Sequence, residues 1–331
     1  MLTGLSQIGQ PFLLIDARQF AEAPAISRAD FIQILESTLN EFISKEKKWS
    51  NRIMDAIKSV KGVQVSSGPP PTISLAWGTG KDKSPADLAR LFRTLGKVAQ
   101  ANHTRFVIAL DEAQELRRLA GYDLSKLIAH VYDYVPGVQI VLTGSQVGFL
   151  YEFVGIENPR ASLYGRARVE IQTDRLTPAL ARDFLSKGMH QIEIDPSEEV
   201  LMSAVEKLDG IIGWLTYLGA VARRTRKFTE KTIDQALEEA SKLAALELHT
   251  FLDLRPFAKK RYLAILSRLS QTQSASWSDI KRSVQLEEGR TIPDNSLSSL
   301  LANLVKASFV SKGEDGSYCI SDPVLANAIR G

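Results

Sequence analysis

The sequence predicts an open α/β sheet of mostly parallel strands, then an all-helical region, then a small terminal domain of three helices and a hairpin. Three observations support this. Phe106-Val-Ile-Ala-Leu110 is an unbroken apolar run, long enough for one strand buried on both faces of a parallel sheet, and it ends in Asp111-Glu112. Helix-periodic segments alternate with short apolar strands up to residue 171. Beyond it the pattern is helical until two short strands that flank Gly313-Glu-Asp-Gly316.

Pro11-Phe-Leu-Leu-Ile-Asp16 is the first strand-like run. Ser27-Arg-Ala-Asp30 has the form of a capping box, ahead of a helix with Phe31, Ile34, Leu35, Leu39, Phe42 and Ile43 on one face. Val63 and Val65, then Ile73, Leu75 and Trp77, predict a hairpin around the loop Ser66-Ser-Gly-Pro-Pro-Pro71. Ser84-Pro-Ala-Asp87 starts a helix that buries Leu88, Leu91, Phe92, Leu95 and Val98. The acid-ended strand follows, then a helix over 124–134 and a strand over 138–142 that runs into Thr143-Gly-Ser145. Residues 168–171 are expected to be the last strand of a sheet covered by helices on both faces. Leu176-Thr-Pro178, Asp195-Pro-Ser-Glu198 and Gly210-Ile-Ile-Gly-Trp-Leu215 each open a helix, and a longer helix spans 231–253. Residues 256–331 read as a winged helix. Its third helix, over 295–307, turns Leu297, Leu300, Leu301, Leu304 and Val305 inward, and a wing hairpin is built from 309–311 and 318–320. The expected domains are 1–174 (α/β core), 175–254 (helical lid) and 255–331 (winged helix).

An apolar strand ending in two acids at the carboxyl edge of a parallel sheet has the form of a Walker B element. There the first acid, Asp111, holds Mg²⁺ and the second, Glu112, polarises the water that attacks a γ-phosphate. Thr143 and Ser145, on the strand one helix later, stand where a sensor of the γ-phosphate is found. The matching phosphate loop, G-x-x-x-x-G-K-[ST], does not occur in the 331 residues. Gly78-Thr-Gly-Lys81 resembles its end, but Leu75 stands where the first glycine belongs and Asp82 where the Mg²⁺-binding hydroxyl belongs. The expectation is a chain clipped just downstream of its phosphate loop.

Composition narrows the class. A formal charge of +3 does not by itself argue for nucleic acid. The single Cys319 excludes an intramolecular disulfide and a cysteine-rich zinc site, and the four histidines show no ligand spacing. With no signal peptide and no apolar run of spanning length, a cytoplasmic protein is expected. The third helix of the winged helix shows Asn295, Ser296, Ser298, Ser299, Asn303 and one cation, Lys306, to the outside. DNA-reading helices bring more positive charge than this, so DNA and protein both stay open as partners.

Leu14-Ile-Asp16, Leu110-Asp-Glu-Ala-Gln114, Leu142-Thr-Gly-Ser145, Leu163-Tyr-Gly-Arg166, Asp209-Gly-Ile-Ile-Gly-Trp-Leu215 and Ser321-Asp-Pro323 follow one another over nearly the whole chain. In that order they resemble the archaeal ATPase family of P-loop NTPases, relatives of the STAND and AAA-type ATPases. The resemblance implies an AAA/STAND-like parallel sheet with a helical lid and a C-terminal winged helix, binding ATP or ADP with Mg²⁺. It implies Asp111 as the Mg²⁺ acid, Glu112 as the water-activating acid, Ser145 with Thr143 as sensor, and Arg166 as an arginine facing the γ-phosphate. Gly210 and Ile212 would belong to a lid turn against the adenine, with Ile212 where the family usually has proline. Three readings follow: a switch-type ATPase in N-terminally clipped form, a degenerate scaffold that does not hydrolyse ATP, and a winged-helix DNA-binding regulator.

Overall fold

The computed structural model describes all residues except 1, 21–22, 67, 69–70, 77–86, 157 and 331. Trp77, Gly78-Thr-Gly-Lys81, Ser84-Pro-Ala86 and part of the 66–71 loop lie outside the described residues. The chain divides into two compact units, residues 1–167 and 168–331, so the regions expected as lid and winged helix fall together in the second.

The first unit runs α1 (Leu2–Gln7), β1 (Phe12–Asp16), α2 (Arg28–Lys45), α3 (Lys47–Ile57), β2 (Val63–Ser66), β3 (Thr72–Leu75), α4 (Leu88–Gln100), β4 (Phe106–Asp111), α5 (Leu124–Tyr134), β5 (Val138–Leu142) and α6 (Val147–Val154). Local chemistry sets the helix starts. Ser27 Oγ accepts from the Asp30 amide at 3.2 Å while Asp30 Oδ2 accepts from the Ser27 amide at 2.9 Å, closing the capping box. Asp87 and Asp123 cap α4 and α5 through the amides of Arg90 and Lys126.

The main sheet is parallel, in the order β1-β4-β5, with Leu13 beside Ile108 and Leu110 beside Leu142. A central strand meets neighbours on both edges, which explains the fully buried run Phe106–Leu110. Leu13, Ile15, Phe106, Ile108 and Leu110 share one face with Val138, Ile140 and Leu142, and that face joins α2–α5 in a single core. The opposite face is buried only at its centre. Val107 and Ala109 are 3% and 1% exposed there, Phe12, Leu14 and Val141 beside them are half-buried, Gln139 is exposed, and none of these belongs to the core. Among the described residues β5 also pairs on one edge only.

The strand expected at 168–171 is not formed. Residues 166–177 have no regular secondary structure, and Val169 and Ile171 are 89% and 84% exposed. A strand needs a hydrogen-bonded neighbour, and residues 168–171 pair with no described strand.

Entry into β5 depends on Gly137. Its carbonyl accepts from the Phe106 amide at 2.8 Å, and a Cβ on it would overlap the Gly96 carbonyl of α4 and come within 2.8 Å of Gln100 Cγ. Gly137→Ala is expected to cost about 1–3 kcal/mol, read as a lowered denaturation midpoint at unchanged m-value. An unchanged midpoint would show that the helix–turn contact yields freely.

The second unit holds α7 (Pro178–Gln191), α8 (Glu198–Leu208), α9 (Ile212–Thr225), α10 (Glu230–Asp253), α11 (Lys259–Ser270), α12 (Trp277–Glu288), α13 (Asp294–Lys306), β6 (Val310–Lys312), β7 (Tyr318–Ile320) and α14 (Pro323–Arg330). Ala236, Ala240 and Ala244 form a buried stripe on α10, which packs against α9 and α14. In the winged helix β6 and β7 pair antiparallel, and an Ala275–Tyr318 bridge ties the hairpin to the turn before α12. Gly210 sits at φ +67°, where its carbonyl accepts from the Leu176 amide at 2.9 Å and a side chain would strike the Leu176 carbonyl. Close backbone approach therefore accounts for this glycine.

Candidate functional site

The parallel register brings Asp16 and Asp111 side by side at the carboxyl ends of β1 and β4. Thr143, just past β5, donates from Oγ1 to Asp111 Oδ1. Arg18 closes the row: it binds both oxygens of Asp16 at 2.7–3.1 Å and reaches Asp111 Oδ2 at 3.4 Å. Its hydrogen bonds hold the Asp16 carboxyl below the usual carboxylate range, and the neighbouring carboxylates raise the guanidinium in turn.

Glu112 is the strained member of the site. Its backbone is left-handed, at φ +51° and ψ +45°, a conformation that costs a residue with a Cβ. Three donors converge on its Oε2: Ser145 Oγ at 2.7 Å, the Ser145 amide at 3.3 Å and Gln114 Nε2 at 2.5 Å. The backbone adds a brace, because the Ala113 amide donates to Thr143 O and the Thr143 amide to Leu110 O. Gln114 is 1% exposed, and its Oε1 lies against Gly144 without a hydrogen-bond partner. Any Cβ at Gly144 would collide with that amide, so the glycine of Thr143-Gly-Ser145 makes room for Gln114.

Four of the residues singled out in the sequence thus come together as two hydrogen-bonded pairs side by side, Asp111 with Thr143 and Glu112 with Ser145. Arg166 stands apart from it. Its guanidinium forms a two-point pair with Asp133, at 3.0 and 2.5 Å, on the last turn of α5, and also donates to Ser162 O. Gly210 and Ile212 lie in the second unit, with Ile212 41% exposed at the first position of α9. Sequence reasoning gave no role to Gln114 or Arg18. Asp16 carried the signal for Arg18, because an acid at the end of each of two adjacent strands calls for a shared cation.

The donor set suits a hard cation. Two carboxylates and hydroxyls stand at one sheet edge with Arg18 between the acids, and among the described residues no group of three or more His, Cys, Asp or Glu that could hold a metal ion is formed, here or elsewhere. Mg²⁺ usually takes one or two protein carboxylates and completes its shell with water and phosphate oxygens. A backbone cradle for those phosphates is not formed by the described residues around Asp111.

Comparison with known proteins supplies the relatives. Residues 256–321 match the model of the MCM protein C-terminal winged helix-turn-helix domain. Curated proteins give no match. The structure of the Walker-type ATPase PABY2304 of Pyrococcus abyssi is 31% identical, at a TM-score of 0.77, over 98% of this chain and 85% of that one. The ORC2 protein of Aeropyrum pernix, solved with ADPNP and ADP, is 13% identical at a TM-score of 0.55, over 99% of this chain and 78% of that one, and shares the fold. Identity of this level over nearly the full length, with the matched winged helix, shows that the chain belongs to the archaeal family of Walker-type ATPases of the P-loop NTPase fold with a C-terminal winged helix.

Proposed function

We propose that the protein is a switch-type ATPase in which Asp111 and Glu112 act as the Walker B pair, and that its phosphate loop comes from a segment outside these 331 residues. The observation behind this is the Asp111–Glu112–Thr143–Ser145 group, held at the carboxyl ends of two adjacent in-register strands. Asp111 would hold Mg²⁺ through Oδ2, the oxygen that Arg18 reaches at 3.4 Å, so Arg18 would have to draw back to Asp16 as the cation binds. Ser145 and Gln114 occupy Oε2 of Glu112, which leaves its second oxygen to take the proton of an attacking water. Thr143 and Ser145 would report on the γ-phosphate through the same hydrogen bonds. Bound ATP with Mg²⁺ would supply the phosphoryl bond to be cleaved and the cation that neutralises its charge. Arg166 enters this reading only where its pair with Asp133 opens, and Gly210 with Ile212 would present the lid turn to the base.

The missing cradle has a natural position. β5 offers an unpaired edge among the described residues, and Phe12, Leu14 and Val141 on the outer face are only half-buried. A strand, a glycine-rich loop and a helix would fill both, and the loop would then end beside Thr143.

For the winged helix the proposed partner is a protein. Several of its cations are held by acids: Arg261 and Arg290 hold Glu288, whose carboxyl is pulled down to about 2, and Lys281 pairs with Asp294. The exposed residues of α13 around Ser298, Ser299 and Ala302 are neutral.

The test is the intact mass of the protein isolated from its native cells, with its ATP turnover and its salt-dependent DNA binding measured on that preparation. A longer protein that carries G-x-x-x-x-G-K-[ST] and hydrolyses ATP is expected. A native protein of this mass that binds no nucleotide would favour the scaffold reading. A DNA affinity falling steeply with salt would favour the DNA-binding regulator.

A further inference from the structure

Two of the short motifs singled out in the sequence, far apart in the chain, touch each other. Trp214, from the Gly210–Leu215 turn, donates its indole Nε1–H to Asp322 Oδ2 at 2.7 Å. The other oxygen of Asp322 accepts from the Val324 amide at 2.8 Å, so the same side chain caps α14. Beside it Arg175 pairs with Asp209 and donates to the Ser321 carbonyl. One arginine and one tryptophan thereby stitch the turn that opens α9 to the turn that leaves the wing.

Further contacts tie the winged helix to the lid next to the first, because the Ser321 amide donates to the Phe309 carbonyl at 2.9 Å. Phe251, near the end of α10, meets Tyr262 of α11 and Phe309 ahead of β6 edge-on, with ring centroids at 5.3 and 5.1 Å. Val324 and Leu325 of α14 are buried, and α14 packs against α10 and α8. The Trp214–Asp322 bond, these rings and the packing of α14 join the winged helix to the lid helices through several contacts rather than one.

We propose that Trp214, Arg175 and the Ser321-Asp322-Pro323 turn form a latch. Through it the lid helices and the winged helix move as one body, and a change at the 209–215 turn reaches the winged helix directly. The short connection at 254–258 is then no swivel, and any rearrangement of the winged helix carries α7–α10 with it. This inference does not depend on nucleotide binding, because every contact in it lies within residues 168–331.

Hydrogen exchange on the full chain tests it. In the wild type the slowest amides of α8–α9 and of α11–α13 are expected to open with the same free energy, as one cooperative unit. Trp214→Phe removes the indole donor and keeps an aromatic ring; Arg175→Gln removes the ion pair. Together they are expected to speed exchange across 318–330 and 209–215 by about tenfold, the worth of one or two net hydrogen bonds, while β4 keeps its wild-type rates. Unchanged exchange at 318–330 in the double variant, or a wild-type winged helix that opens while the lid stays protected, would overturn the latch. Should the double variant fail to fold, Trp214→Phe alone is expected to give a smaller acceleration over the same two segments, and no acceleration there would equally overturn the proposal.

Discussion

Glu112→Gln, made in a form of the protein that carries a phosphate loop, is expected to keep ATP affinity and to lose turnover by about 10²–10⁴-fold. The substitution is nearly isosteric. Its amide oxygen can still accept from Ser145 Oγ and Gln114 Nε2, so the left-handed turn and its brace persist. The one group removed is the carboxylate oxygen left to accept the proton of the attacking water. Binding draws chiefly on the phosphate cradle and the Mg²⁺ held by Asp111, neither of which the change touches. Steady-state hydrolysis beside equilibrium titration with ATP separates the two effects. Wild-type turnover in the variant would remove Glu112 from the chemistry and leave it a purely structural acid.

Phe106→Ala carries the largest expected stability loss, about 3–5 kcal/mol. Phe106 is 0% exposed at the start of β4, and its ring meets Phe42 of α2 at a centroid distance of 5.5 Å and a tilt of 57°. Truncation removes that pair and leaves a cavity between sheet and helix layer that neither a central strand nor a capped helix can close by shifting. The loss is expected in the denaturation midpoint of the first unit, while residues 168–331 keep their own exchange rates. A loss below about 1 kcal/mol would mean that α2 relaxes into the space, and that the core is looser than its burial suggests.

Legibility in the sequence followed the strength of local pattern. β4, β5 and α5 could be read at or near their ends, because an unbroken apolar run and a clear helical stripe have few alternative meanings. α3 was not expected: Lys47-Lys-Trp-Ser-Asn-Arg-Ile-Met is mostly polar, and only the tertiary contacts of Trp49, Ile53 and Ile57 reveal its buried stripe. α14 is short and starts at a proline, so it reads as a tail until its packing on α10 is seen. The strand expected at 168–171 failed for the opposite reason, since its alternation is sound but pairing is a property of neighbours. In the site, Asp111 and Glu112 were legible from type and position alone. Gln114 was not, because a glutamine two residues beyond a pair of acids has no chemical signature until it is found buried against Gly144. Nor could the sequence show that Arg166 faces Asp133.

The pairing of β1 with β4 also sets a timetable for biosynthesis. Leu13 is made early, but its partner Ile108 emerges only after the whole of α2, α3, the hairpin and α4 have been translated. At about 5–20 residues per second the ribosome needs roughly 5 s or longer to cover that distance, far more than a helix or hairpin takes to form. During that interval Phe12-Leu-Leu-Ile15 stays without a ladder, an apolar strand waiting on the nascent chain. The first unit thus cannot fold in the order in which it is made, and the centre of its sheet is among the last parts to close.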